Sequence, residues 1–84
     1  MEDLNGRVVI VSNADTDEGA AFARVVCAAG AAAVLTGARF VDLGALAKQL
    51  HGETGAPIAV FAGDLSRSDE RGEFAAMVSE LFPS

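Results

Sequence analysis

Three short apolar runs, each followed by a stretch with helical spacing, constrain this chain more than any other feature of it. Arg7-Val8-Val9-Ile10-Val11 follows the turn pair Asn5-Gly6 without polar alternation, which predicts a strand buried on both faces. From Asp17 to Ala29 the apolar residues Phe22, Val25, Val26 and Ala29 fall at helical spacing, and Gly30 stands where a helix C-terminus takes a left-handed residue. Ala32 to Thr36 repeats the strand pattern. Phe40 to Leu50 predicts a second helix with Leu43, Leu46, Ala47 and Leu50 on one face, closed by His51 and Gly52. Pro57 to Phe61 supplies a third strand, and Phe74, Met77, Val78 and Leu81 the apolar face of a last helix. Alternation of this kind, β-α-β-α-β-α, predicts an α/β fold with a parallel sheet and right-handed crossovers. The 84 residues make one domain, 1–84. A domain this small buries only about 60% of the surface its unfolded form exposes, so its stability margin is thin.

Charge and composition narrow the function classes. A formal charge of -6 repels nucleic acid and anionic membrane surfaces, and no Lys/Arg cluster or aromatic platform interrupts it. The longest apolar stretch, Val25 to Leu35, is too short to span a bilayer and contains Gly30. The first five residues lack the basic and apolar regions of a signal peptide, so a cytoplasmic protein is expected. The single Cys27 lies among Val25, Val26, Ala28 and Ala29 and reads as a buried structural thiol. His51 has no second His or nearby Cys at metal-ligand spacing and reads as a solvated helix end.

The segment between the first strand and the first helix is Ser12-Asn13-Ala14-Asp15-Thr16-Asp17-Glu18-Gly19. It lies where a dinucleotide fold places the turn that receives a pyrophosphate. It resembles the TGxxxGxG turn of the short-chain dehydrogenase/reductase family, with Ser12 at the Thr position, Asn13 and Asp17 at the first two glycines and Gly19 at the third. The resemblance runs in register from Leu4 to about Phe82. Val34-Leu35-Thr36-Gly37 is similar to the family's second strand, Leu43 to Leu50 to the helix after it, and Gly63-Asp64-Leu65-Ser66 to the exit of the third strand. The resemblance implies a three-layer half-Rossmann unit with three parallel strands in order 3-2-1. It also implies NAD(P) binding through Ser12, Asn13, Asp17, Gly19, Arg39, Asp64 and Leu65, with Asp64 on the adenine. NAD-using relatives carry an acid for the ribose hydroxyls at the end of the second strand, where this chain has Gly37. Arg39, two residues on, either reaches a 2′-phosphate or is an ordinary surface charge, and the expectation tips slightly toward NADP.

Asp17 replaces the glycine that lets the backbone approach the pyrophosphate, adding a Cβ and a negative charge, and Asp15 and Glu18 add two more charges. At an effective dielectric near 20, each like charge a few Å from a phosphate costs roughly a few kcal/mol before screening. Weakened or lost cofactor binding is therefore expected. Asp15 and Glu18 also have the spacing of a capping box, an alternative in which the helix start is satisfied by its own side chains rather than by an anion. Three acids on one turn match no defined metal site.

The family's active site needs a Tyr and a Lys in a YxxxK helix, a Ser upstream and an Asn, all beyond a fourth strand. This chain contains no Tyr. The resemblance thus implies an N-terminal portion that stops before any catalytic residue, with no activity alone. Without a fourth strand the first becomes an edge, an expected site of pairing with a second copy or with a completing polypeptide. Two function classes follow: a cofactor-binding remnant of an oxidoreductase, and a non-catalytic module that associates through its first strand.

Overall fold

The structure, a computed structural model, describes residues 4–63 and 67–81. Its elements are β1 (Val8–Val11), α1 (Asp17–Ala28), β2 (Ala32–Gly37), α2 (Phe40–Thr54), β3 (Ile58–Ala62) and α3 (Ser68–Leu81). The strands form one parallel sheet in the order β1-β2-β3, which is 3-2-1 read from the other edge. Val9 pairs with Ala33, and Leu35 pairs with Val11 on one side and Val60 on the other.

Strand alternation sorts the side chains into two faces. Val9, Val11, Ala33, Leu35, Ile58 and Val60 join Ala23, Val26 and Cys27 of α1 and Leu43, Leu46 and Leu50 of α2 in one core. Val8, Ile10, Val34, Thr36, Ala59 and Phe61 fall on the opposite face. There the ring of Phe61 meets Phe74 of α3 edge-on, with centroids 5.2 Å apart. Two helices on one face and one on the other make three layers.

The faces are unequally covered. β2, in the centre, is buried over Ala33 to Thr36. β1 was expected to be buried on both faces, yet Val8 is 41% and Ile10 47% exposed. The reason is positional: β1 is a sheet edge, and only its Val9/Val11 side faces α1. The large residues of α1 also differ from expectation. Gly19, Ala23, Val26 and Cys27 face inward, whereas Phe22 (52%) and Val25 (45%) are exposed. Gly19, Ala23 and Cys27 recur every fourth residue, and this small-residue stripe lets the helix lie close to the sheet with the bulky side chains on its flanks. Burial raises the pKa of the Cys27 thiol above its ordinary value, which fits an inert core residue.

In α2 the expected face of Leu43, Leu46, Ala47 and Leu50 packs inward. The helix continues past His51 and Gly52 to Thr54 and ends at Gly55, whose φ of 75° allows its N–H to close on the His51 carbonyl. His51 Nδ1 lies 2.9 Å from the Ala56 carbonyl oxygen. α3 departs most from expectation, because none of its residues is buried and Leu81 is 54% exposed. Phe74→Ala is therefore expected to cost about 1 kcal/mol, mostly the lost ring pair, instead of the 3–5 kcal/mol of a fully buried Phe. Thermal melts of the variant and parent would measure the difference.

Candidate functional site

The end of β1 is tied to β2 by two hydrogen bonds. Thr36 Oγ1 donates to the Val11 carbonyl (3.1 Å), and Ala14 N donates to the Thr36 carbonyl (2.8 Å). Between them the chain must reverse, and Asn13 does so with a φ of 52°. Asn is among the few side chains that visit this left-handed region routinely, which suits it to the position of the first glycine in the resembled motif. The Asn13 carbonyl then accepts from Thr16 N (3.1 Å) and Thr16 Oγ1 (2.7 Å).

Thr16 is the N-cap of α1: its Oγ1 accepts from Gly19 N at 3.2 Å. This corrects the expected capping box of Asp15 and Glu18. Asp15 turns away from α1, and its Oδ2 accepts from the backbone N–H groups of Ala38 and Arg39, both at 3.0 Å, in the loop after β2. Glu18 stays exposed in the first turn. A Cβ at Gly19 would collide with the Asn13 carbonyl oxygen and stand 2.8 Å from Ala14 Cα, so the third glycine of the motif is required by close packing.

The loop walls an open cleft of about 570 Å³. Four of the residues expected to bind a cofactor line it together: Ser12, Asn13, Asp17 and Gly19. Val11, Thr16, Glu18 and Phe22 complete the wall. Arg39 does not line this cleft; it is the N-cap residue of α2, with its guanidinium 3.6 Å from Asp42. Asp64 and Leu65 lie outside the described residues. No helix among the described residues is long and apolar enough to cross a membrane.

An α-helix leaves its first four N–H groups without intrahelical partners. Thr16 satisfies that of Gly19, and those of Asp17 and Glu18 remain for a group in front of the helix. The dipole favours an anion there, while the carboxylates of Asp17 and Glu18, both exposed, oppose one. Asp15 is held below its ordinary pKa first by the Arg39 N–H, with help from Ala38 N–H and the Arg39 charge, against a smaller opposing effect of burial. A depressed folded-state pKa means that the tie between the two loops is intact at neutral pH and lost as the pH falls through that lowered value. The Ala38 and Arg39 amide resonances are expected to report this acid transition in an NMR pH titration.

The Thr16 cap is missed by the sequence reading, although the acidic pair Asp17-Glu18 that follows it is a local signal for it, since acids favour the turn after a cap. Nothing local marked Asp15, because its partners lie 23 and 24 residues away. Phe22 was read as core and instead walls the cleft.

No protein-family model and no curated protein sequence matches the chain. Solved structures do. An L-sorbose reductase from Gluconobacter frateurii, complexed with NADPH and L-sorbose, matches with a TM-score of 0.90 at 21% identity over 95% of this chain and 30% of that one, a likeness of fold alone. A metagenomic short-chain oxidoreductase in complex with NADP matches with a TM-score of 0.85 at 34% identity, over 94% of this chain and 35% of that one. An alcohol dehydrogenase from the archaeon Thermococcus sibiricus, complexed with 5-hydroxy-NADP, matches with a TM-score of 0.85 at 28% identity, over 90% and 32%. The chain thus shares its fold with short-chain dehydrogenases and spans about a third of the length of these structures.

Proposed function

We propose that this chain is the NAD(P)-binding portion of a short-chain dehydrogenase/reductase-like oxidoreductase, with weakened cofactor affinity and no catalytic residue of its own. The observation that carries this reading is the β1–α1 loop, which lies where a dinucleotide fold has its pyrophosphate turn although two of three motif glycines are gone. Asn13 takes the left-handed conformation, and Gly19 takes the contact that admits no Cβ. The donors in the cleft suit a pyrophosphate: the Ser12 hydroxyl and the N–H groups of Asp17 and Glu18. The Asp17 and Glu18 carboxylates weaken that grip. When bound, a nicotinamide cofactor supplies the hydride carrier, and this chain contributes position alone. No Tyr is present to serve the family's proton transfer. Three matched structures hold NADPH, NADP or an NADP derivative, which supports the choice of ligand class.

A second reading is favoured by one observation, the bare side of β1. Val8, Ile10, Phe22 and Val25 are all more than two-fifths exposed, and β1 pairs with β2 alone among the described strands. Such an edge recruits a strand from a second copy or another polypeptide. A thermal melt with and without NADH or NADPH tests the first reading. Ligand at a hundredfold excess over its Kd stabilises the folded state by about 2.7 kcal/mol, a rise of roughly 10 °C or more in a domain this size. An unchanged cooperative melt, with a mass that grows with concentration in sedimentation, would replace the cofactor reading by the association reading.

A further inference from the structure

We infer that Asp15 supplies from the first loop the carboxylate missing from the end of β2, and that it sets the site's preference toward NAD(H) over NADP(H). The inference rests on the cofactor reading above and concerns a ribose subsite next to the cleft, whose own lining does not include Asp15. In dinucleotide folds an acid at the end of the second strand accepts hydrogen bonds from the adenosine ribose, whereas an arginine nearby accommodates a 2′-phosphate. This chain has Gly37 at that position, and the space a side chain would enter is already filled. A Cβ on Gly37 would stand 2.7 Å from Asp15 Oδ1 and 2.9 Å from Oδ2. The carboxylate therefore sits where a residue-37 acid would start, delivered from another loop.

Its orientation is fixed. Ala38 N and Arg39 N both donate to Oδ2 at 3.0 Å. A carboxylate has about four lone-pair sites, so two amide donors leave capacity for a pair of ribose hydroxyls. The same two N–H groups hold it ionised, so a 2′-phosphate would meet a full negative charge. Arg39 offsets this poorly. Its backbone N–H serves Asp15, and its side chain, 75% exposed, places the guanidinium 3.6 Å from Asp42 Oδ2. Asp15, Arg39 and Asp42 together carry a net negative charge at the place where NADP(H) brings up to two more.

Isothermal titrations of NADH and NADPH into the intact chain and its Asp15→Asn variant test the inference. Asn keeps an oxygen for the two amides and removes the charge. The parent is expected to bind NADH at least about tenfold tighter than NADPH, and Asp15→Asn to bring the two affinities together by strengthening NADPH. Competition by AMP against adenosine 2′,5′-bisphosphate on the parent checks the same preference without any variant. Equal affinities, or tighter NADPH, in the parent would overturn the role of Asp15 and leave the cofactor site standing. Binding of neither nucleotide would overturn the cofactor reading, and this inference with it.

Discussion

Replacing Gly19 by alanine is expected to abolish the cooperative melt of this chain or to lower its midpoint by more than about 10 °C. The added Cβ meets the Asn13 carbonyl, a backbone group that cannot rotate aside. Moving the loop away means breaking its ties: Ala14 N to Thr36 O, Thr16 Oγ1 to Asn13 O, or the cap from Thr16 to Gly19 N. Overpacking of this kind costs about 1–3 kcal/mol where neighbours can shift, and more where they cannot. A chain of 84 residues stands near the lower end of the roughly 5–15 kcal/mol typical of native proteins, so the loss is a large share of the total. Gly44, inside α2, is the control, because a Cβ there meets nothing within 4 Å. Gly44→Ala is expected to leave the fold intact and add up to about 1 kcal/mol through helix propensity. A Gly19→Ala midpoint within 2 °C of the parent's, by circular dichroism, would show that the loop yields more easily than its hydrogen bonds imply.

The second large effect is expected at Leu35. It is fully buried at the centre of β2, in the core shared with both helices of its face. Leu35→Ala removes that side chain from a layer whose other members include the small residues Ala23 and Ala33, which cannot expand to fill the space. The expected cost is about 2–5 kcal/mol, read as a lower denaturant midpoint at unchanged slope. Val8→Ala, on the exposed side of β1, is expected to change the midpoint by less than about 1 kcal/mol. Equal losses at both sites would mean that the bare side of β1 is covered in solution, which favours the association reading.

Element type and order were legible because the chain repeats one unit three times, and each apolar run is bounded by turn residues. α2 was legible in detail: Leu43, Leu46, Ala47 and Leu50 face the sheet as their spacing implies. α1 was not, because hydropathy ranks Phe22 and Val25 above Gly19 and Ala23, while close approach of helix to sheet selects the small residues. The uneven burial of β1 depends on what lies beside it, which periodicity does not encode. Within the site, Ser12, Asn13, Asp17 and Gly19 line one cleft, adjacent to one another as their closeness in sequence requires. The different tasks of Thr16 and Asp15 were hidden for different reasons. The Thr16 cap was masked by a competing capping-box pattern one residue earlier, and Asp15 finds its partners across the fold.

The most direct test of the cofactor reading is an amide-resolved NMR titration of the intact chain with NADH. Saturable shifts are expected at Ser12, Asn13, Asp17, Glu18 and Gly19 and in the loop from Gly37 to Arg39, with the N-terminal ends of the strands unmoved. Resonances that stay in place up to millimolar NADH and NADPH, or that move only along β1, would contradict it.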